Sequence, residues 1–331
     1  MPLVSASDYS MPFPFSNGHV QTMFPPLFRK VVPIPAHRVR IDTPDGDFLD
    51  LDFLFAEEAD ALHDGAPKKR PLAIISHGLE GNSRRKYVLG MAHSLMRQGY
   101  DVCAWNFRGC SGEPNRTMRL YHSGEIGDLH TVITHCALLG YQRIVLAGFS
   151  MGGNQILTYL GTNPAAVHPA VVAAVTFSVP CDLVGAAVVL DKPANGIYMR
   201  YFMRTLREKI REKHQRYPQL NIDGLDTIRS FEEFDTRFTA PLYGFRDARD
   251  YWQRSGCGQF LSRIRVPALL VNAKNDPFLS PSCFPVAVAE RSDALFLEMP
   301  STGGHVGFVR RAADGLYWSD LRAAAFLASV L

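Results

Sequence analysis

The stretch that most constrains this chain is Ile144-Val-Leu-Ala-Gly-Phe-Ser-Met-Gly-Gly-Asn154. An apolar β-type run breaks at Gly148-Phe-Ser-Met-Gly152 and resumes as a helix-compatible segment, so a strand has to turn abruptly into a helix at Ser150. Such a turn holds its middle residue in a strained conformation, and a glycine on either side lets neighbouring backbone pass without a side-chain clash. Ser150 then stands clear of the sheet edge at a helix N-terminus, whose dipole favours developing negative charge. The pentapeptide alone is common by chance. Its strand-then-helix context is what makes Ser150 a candidate nucleophile.

The surrounding pattern fits that turn. Short apolar runs over 72–76, 101–107, 143–149, 171–177, 268–272 and 294–298 read as strands. Helical stretches separate the early ones: Val88, Met91, Ala92, Leu95 and Met96 share a face that ends at Gly99, and 125–139 and 152–160 follow. A terminal helix carries Leu321, Ala325 and Ala328 on one side. Alternation of this kind predicts a mostly parallel central sheet with helices on both faces. Before it, two alternating runs flank Thr43-Pro-Asp-Gly46 and read as an antiparallel hairpin, while 56–70 is polar and reads as an exposed loop. Residues 1–35 hold Pro12, Pro14, Pro25, Pro26, Pro33 and Pro35, which deny regular helix and suggest an arm wrapped on the body. The alternation lapses over 183–263, leaving a core of 36–182 and 264–331 and an insertion that reads as a helical lid, the alternative being that it extends the core.

Composition narrows the function classes. With 331 residues, 47% of them hydrophobic, the chain can bury one large core plus an insertion. A net charge of +3 gives no global pointer to nucleic acid. The six cysteines are scattered, with no C-x-x-C pair and no His/Cys spacing for a metal, and read as buried thiols in a reducing compartment. No basic-then-apolar leader opens the sequence, and Pro180 and Asp182 interrupt its most apolar region, so a cytoplasmic protein without stable membrane insertion is expected.

A serine hydroxyl needs a base, and the base needs a group that fixes its tautomer. Three histidines follow Ser150: His168 at a strand start, His214 in a basic run, and His305 in Thr302-Gly-Gly-His-Val306 after the last strand. His305 is the candidate base, because that loop sits at the sheet end where Ser150 emerges. For the acid, Asp276 in Asn275-Asp-Pro-Phe278 is favoured over Asp182, which follows the preceding strand. The tetrahedral oxyanion needs donors, and the expected ones are the backbone N–H groups of Met151 and of Leu79 in Ser76-His-Gly-Leu-Glu-Gly81. Asn106-Phe-Arg-Gly-Cys-Ser-Gly-Glu113 lacks both G-x-G-x-x-G and the Walker Lys-Ser/Thr, so it reads as a loop shaping the pocket floor, not as a phosphate cradle. The basic run with Arg200, Arg204, Arg207, Lys209, Arg211 and Lys213 reads as a solvated face, with contact to anionic lipid headgroups or acyl carriers as its functional alternative.

With these residues in place, the chain resembles the YheT-like branch of the α/β-hydrolase superfamily. The resemblance rests on Asn17-Gly-His-Val-Gln-Thr22, His77-Gly-Leu-Glu-Gly-Asn82, Asn106-Phe-Arg-Gly-Cys-Ser-Gly-Glu-Pro114, Tyr121-His-Ser-Gly124, Gly148-Phe-Ser-Met-Gly-Gly-Asn154, Phe234-Asp235 with Thr239-Ala-Pro-Leu242, Asn275-Asp-Pro-Phe278 and Gly304-His305. It implies an α/β-hydrolase fold with an N-terminal arm and a helical lid, and a triad of Ser150, Asp276 and His305. The expected function is that of a serine carboxylesterase acting on small-molecule, short- to medium-chain acyl esters through a covalent acyl-enzyme, the apolar and aromatic insertion motivating an acyl substrate, and the sequence gives no sign of a metal or organic cofactor. Two departures matter. The N-terminal membrane anchor of the eukaryotic members is missing here, and Arg310 stands where an H-x-x-x-x-D acyltransferase pattern requires Asp. Transfer of the acyl group to an alcohol, and a binding protein that has lost turnover, are the competing readings.

Overall fold

The computed structural model describes residues 3, 4, 7–56, 68 and 70–331; the polar loop expected over 56–70 therefore lies largely outside the described residues. Around the Thr43-Pro-Asp-Gly46 turn, β1 (His37–Asp42) and β2 (Phe48–Leu54) pair antiparallel, with Val39 opposite Leu51 and Ile41 opposite Leu49. Six further strands follow: β3 (Leu72–Ser76), β4 (Asp101–Trp105), β5 (Ile144–Phe149), β6 (Val171–Phe177), β7 (Ala268–Val271) and β8 (Leu295–Glu298). They form one eight-stranded sheet in the order β1-β2-β4-β3-β5-β6-β7-β8, antiparallel only at the β1-β2 and β2-β4 pairs. The central strands are buried from end to end, which is why they read as continuous apolar runs instead of alternating ones. The chain passes from β3 outward to β4 and then back across to β5, so the order reverses beside β3. Loops leaving the carboxyl ends of β3 and β5 thus flank the crevice where open α/β sheets bind ligands.

Helices cover both faces. In chain order the first four are α1 (Gly18–Phe28), α2 (Lys86–Arg97), α3 (Gly127–Leu138) and α4 (Met151–Thr162). Between β6 and β7 come α5 (Leu183–Leu190), α6 (Gly196–Arg216), α7 (Phe231–Phe234), a π-helical turn at Asp235–Thr239, α8 (Ala240–Tyr243) and α9 (Ala248–Ser255). The last two are α10 (Val286–Ala289) and α11 (Trp318–Val330). One apolar core packs α3, α4 and α10 on the sheet, and a second packs α2 and α11 on the opposite face. A third gathers Met203, Leu206, Ile210, Phe234, Phe238 and Trp252 within the insertion and touches the core through Leu79 and Leu120.

Two expectations need correction, those for the N-terminal arm and for the basic run of α6. The N-terminal prolines do not prevent a helix: the Asn17 side chain caps α1 by accepting from His19 N–H (2.8 Å) and Val20 N–H (3.3 Å). Pro25 and Pro26 fall in its second half, each without an N–H to donate, and the helix ends within three residues of them; Pro25 C=O still accepts from Arg29 N–H at 3.1 Å. Leu321, Ala325 and Ala328 do share one side of α11, and it is the outward one, because the larger stripe of Trp318, Ala323, Phe326 and Leu327 takes the core. The basic run of α6 is not one solvated face: Lys213 is buried and donates to Asn115 C=O (3.0 Å) and Thr117 C=O, Lys209 pairs with Glu80 at 2.9 Å, and Arg211 pairs with Asp226.

Candidate active site

β5 ends at Phe149, and α4 begins at Met151. Ser150 between them has φ 52° and ψ −120°, a region that a side-chain-bearing residue occupies only when its surroundings force it. Its N–H donates to Phe177 C=O at 2.9 Å, and its C=O accepts from Asn154 N–H at 3.0 Å. The glycines are required by contact. A Cβ at Gly152 would lie 2.4 Å from His77 O and 2.6 Å from Ser76 O, and one at Gly148 would lie 2.8 Å from Gly153 Cα. The G-x-S-x-G spacing is thus the imprint of backbone packed against backbone on either side of the serine.

The loop after β8 carries His305 to this turn. His305 Nε2 lies 3.0 Å from Ser150 Oγ, and its Nδ1 lies 2.9 and 3.1 Å from the two Asp276 oxygens. Asp276 follows β7, is buried, and also accepts from Phe278 N–H at 2.9 Å. An Nδ1–H donating to the carboxylate leaves Nε2 as an acceptor facing the serine hydroxyl. Asp182 is elsewhere: it caps α5 by accepting from Gly185 N–H (3.1 Å) and takes the Ser282 hydroxyl at 2.5 Å. His168 lies at the opposite end of the sheet, before β6, with its N–H donated to Tyr159 Oη, and His214 faces Leu220 C=O within the insertion.

Leu79 and Met151 both border the cavity that holds Ser150, and neither backbone N–H donates to a protein group among the described residues. The Leu79 loop is pinned by His77. This imidazole is fully buried, and burial pushes its pKa down to about 3, so it is neutral. Its Nε2 accepts from Phe107 N–H at 3.1 Å, which assigns the proton to Nδ1, donated to Gly78 C=O at 2.8 Å. Next to Leu79, Glu80 sits at φ 54°, and Val306 beside His305 sits at φ 56°. Strained backbone therefore recurs at all three loops that meet at the serine.

The cavity itself has a volume of about 130 Å³ and is walled mainly by apolar side chains of the insertion, among them Leu183, Ala187, Phe202, Leu206 and Phe231. One carboxyl breaks that wall. Asp235, in the π-helical turn, accepts from Thr239 Oγ1–H (2.6 Å) and Trp252 Nε1–H (2.8 Å), and burial raises its pKa to about 6. The loop 106–113 does not form the cavity floor as expected. It lines an adjoining polar groove against α6, where buried Arg108 ties it to Asp128 (2.6 Å) and Asp45 (2.7 Å).

Several supporting residues escaped the sequence reading. Thr22 of α1 accepts His305 N–H on its Oγ1 at 2.9 Å, and Asn275 Oδ1 accepts Gly304 N–H at 3.0 Å. Phe278 stacks on the His305 ring with centroids 4.2 Å apart. The Asn17-Gly-His-Val-Gln-Thr22 motif was visible, but nothing in it announced a reach to a loop near the other end of the chain.

The family model for the alpha/beta hydrolase fold matches residues 71–312. The Escherichia coli K12 protein named Putative esterase YheT is 34% identical over 89% of this chain and 85% of its own length. The chain belongs to the YheT family of α/β hydrolases. Its family relatives include human Phospholipase ABHD3, 30% identical over 88% of this chain and 71% of that protein. Among solved structures, the Pyrococcus furiosus esterase Pf2001 superposes with a TM-score of 0.55 at 17% identity, covering 91% of this chain and 98% of that one, a likeness of fold. As a YheT-family fold, the chain adds no helix long and apolar enough to cross a membrane among its described residues. None of those residues forms a group of three or more His, Cys, Asp or Glu able to hold a metal ion.

Proposed function

We propose that this α/β hydrolase is a serine carboxylesterase acting on short- to medium-chain acyl esters through a covalent acyl-enzyme. The observation that carries the reading is the line from Ser150 Oγ to His305 Nε2 at 3.0 Å and on from Nδ1 to Asp276 at 2.9 Å. Ser150 Oγ attacks the ester carbonyl carbon as His305 takes the hydroxyl proton, while the Met151 and Leu79 N–H groups hold the oxyanion. Collapse expels the alcohol, protonated by His305. Water then attacks the acyl-enzyme with His305 as base, releasing the acid and restoring Ser150.

The apolar cavity wall supports an acyl substrate, since Leu183, Phe202 and Phe231 offer no partner to a strongly polar one. In this reading 183–263 is a lid over a core of 36–182 and 264–331, with 1–35 as an arm that steadies the His305 loop. The test is intact mass after a fluorophosphonate, on wild type and Ser150→Ala, followed by p-nitrophenyl butyrate and octanoate. One adduct on wild type, none on the variant, and turnover of both esters are expected. Folded wild type that neither forms an adduct nor turns over either ester would overturn the reading.

A further inference from the structure

Apart from Leu138, Val188, Leu321 and Leu331, the large apolar side chains that the described residues leave exposed belong to α1, its flanks and the start of α6. On α1, Val20, Met23 and Leu27 recur at helical spacing on the outward face, and Leu27 and Phe28 are each 62% exposed. Phe13 and Val32, at 85% and 71%, flank them. From α6, exposed Ile197 and Tyr201 join the patch: Tyr201 Oη meets Arg85 at 3.0 Å at the start of α2, and His19 of α1 meets Tyr198 at 3.3 Å. These side chains are gathered over α1, the start of α6 and a groove lined by Val20, Phe28, Lys30 and Val32, and contiguous exposed apolar groups of this kind mark interaction sites.

Cations ring it. Lys86 Nζ donates to Leu27 C=O at 3.1 Å and Arg311 to Phe13 C=O at 2.7 Å, so each charge is held beside an exposed apolar side chain. Lys30 lies in the same groove, and Arg200 and Arg204 flank Tyr201. None of these five has a carboxylate partner among the described residues, and the groove's own carboxylate, Asp314, is paired with Arg310 and Arg97. Apolar side chains encircled by unpaired cations match the chemistry of an anionic bilayer surface, which offers hydrocarbon beneath a negative headgroup layer.

The position of the patch adds a reason. Thr22 of α1 holds the His305 loop, and the Tyr198, Phe278 and His305 rings follow one another from α6 inward, with centroids 4.8 and 4.2 Å apart. A surface seated on α1 and the start of α6 would therefore lie at the edge of the site, where a lipid-borne ester could enter the cavity directly. We propose that this face docks the protein on anionic lipid bilayers. The binding stands apart from the catalytic reading; only its consequence for substrate delivery rests on it.

The experiment is flotation of the full chain with unilamellar vesicles of phosphatidylcholine, with and without about one-third phosphatidylglycerol, at low and high salt. Wild type is expected to float with the anionic vesicles and to be released by salt. Leu27→Ser/Phe28→Ser and Lys30→Glu/Arg311→Glu are each expected to weaken binding about tenfold or more, with hydrolysis of the soluble ester p-nitrophenyl butyrate unchanged. Two results would overturn the proposal: no flotation of wild type at low salt, or equal flotation of all three proteins. A concentration-dependent dimer that the Leu27/Phe28 variant abolishes, with no vesicle binding, would assign the face to a second copy instead. Vesicle binding without soluble-ester turnover would leave docking intact and remove the esterase reading.

Discussion

The two walls around Ser150 are built on different principles. On the sheet side, Ser150, Glu80 and Val306 hold positive φ angles, and a Cβ at Gly152 would meet carbonyl oxygens of the β3 loop at 2.4 and 2.6 Å. Position there is set by backbone against backbone, with little room to relax. On the insertion side, the wall is side chains packed in a separate core, joined to the sheet side by Leu79, Leu120 and the Glu80–Lys209 ion pair. In the proposed reading, chemistry that tolerates little displacement falls to the first wall, and recognition of a variable apolar group to the second.

The sharpest way to break this contrast is to remove chemistry without touching shape. Ser150→Ala should lower kcat for p-nitrophenyl octanoate by a factor on the order of 10⁵ to 10⁶, and Asp276→Asn by about 10⁴, both with unchanged thermal unfolding. Near-wild-type turnover by either variant, measured on protein free of contaminating esterase, would mean that the sheet-side wall is not where bonds are made.

Next in size is the joint between the walls. Glu80 is buried against Lys209 Nζ at 2.9 Å and the Tyr121 hydroxyl, and it directly follows Leu79 in the chain. Lys209→Met leaves a buried carboxylate without its cation, a change that typically costs about 3–5 kcal/mol. Lower unfolding temperature and a roughly tenfold loss in kcat/KM are expected, with much of the stability returned by Glu80→Gln in the same chain. If the single variant unfolds like wild type, the insertion is anchored elsewhere and the contrast between the walls loses its hinge point.

Within the insertion wall, Asp235 supplies a pH signature. Burial raises its folded pKa to about 6 from an ordinary value of 3.8, so the folded state holds the proton more tightly than the unfolded chain. The stabilisation is complete below about pH 4 and is lost as pH rises through about 6, by up to about 3 kcal/mol at roughly 1.4 kcal/mol per unit. Asparagine can keep both contacts, accepting from Trp252 and donating to a rotated Thr239 hydroxyl. Thermal unfolding of Asp235→Asn should therefore gain on wild type between pH 4.5 and pH 8. A constant offset across that range would show that Asp235 binds its proton no more tightly in the fold than in the unfolded chain, and burial would not be raising its pKa.

How much of this could be read beforehand follows the same division. Ser150, His305, Asp276 and the Leu79 loop were picked out because backbone constraints leave local marks: paired glycines, a Pro after Asp276, strand ends at fixed positions. The six strands β3 to β8 were legible within one or two residues because nearly every residue in them is buried, so each reads as a continuous apolar run. Side-chain partnerships leave no such mark. Nothing near Lys209 or Lys213 reveals Glu80 or the Asn115 and Thr117 carbonyls, so α6 read as a solvated basic face. The contacts of Thr22 and Phe278 with the His305 loop were illegible for the same reason, although both residues stand in recognised motifs, and α1 was lost because its prolines were weighed without the Asn17 cap.

The smallest effect separates two carboxylates that the sequence alone left in competition. Asp182 and Asp276 each follow a parallel strand at the same sheet edge, but the contacts differ in kind. Asp276 reaches the imidazole through both oxygens, whereas Asp182 spends one on the Gly185 N–H of its own helix and the other on the Ser282 hydroxyl. An N-cap of this type is worth about 1 kcal/mol, and α5 has no other capping side chain. Asp182→Ala should accordingly lower unfolding stability by about 1–2 kcal/mol. Its kcat should stay within about twofold, with any change appearing in KM, because α5 contributes Leu183 and Ala187 to the apolar wall. A fall in kcat comparable to that of Asp276→Asn would show that the carboxylate at the mouth of the insertion takes part in proton transfer, and the division between positioning and recognition would have to be redrawn.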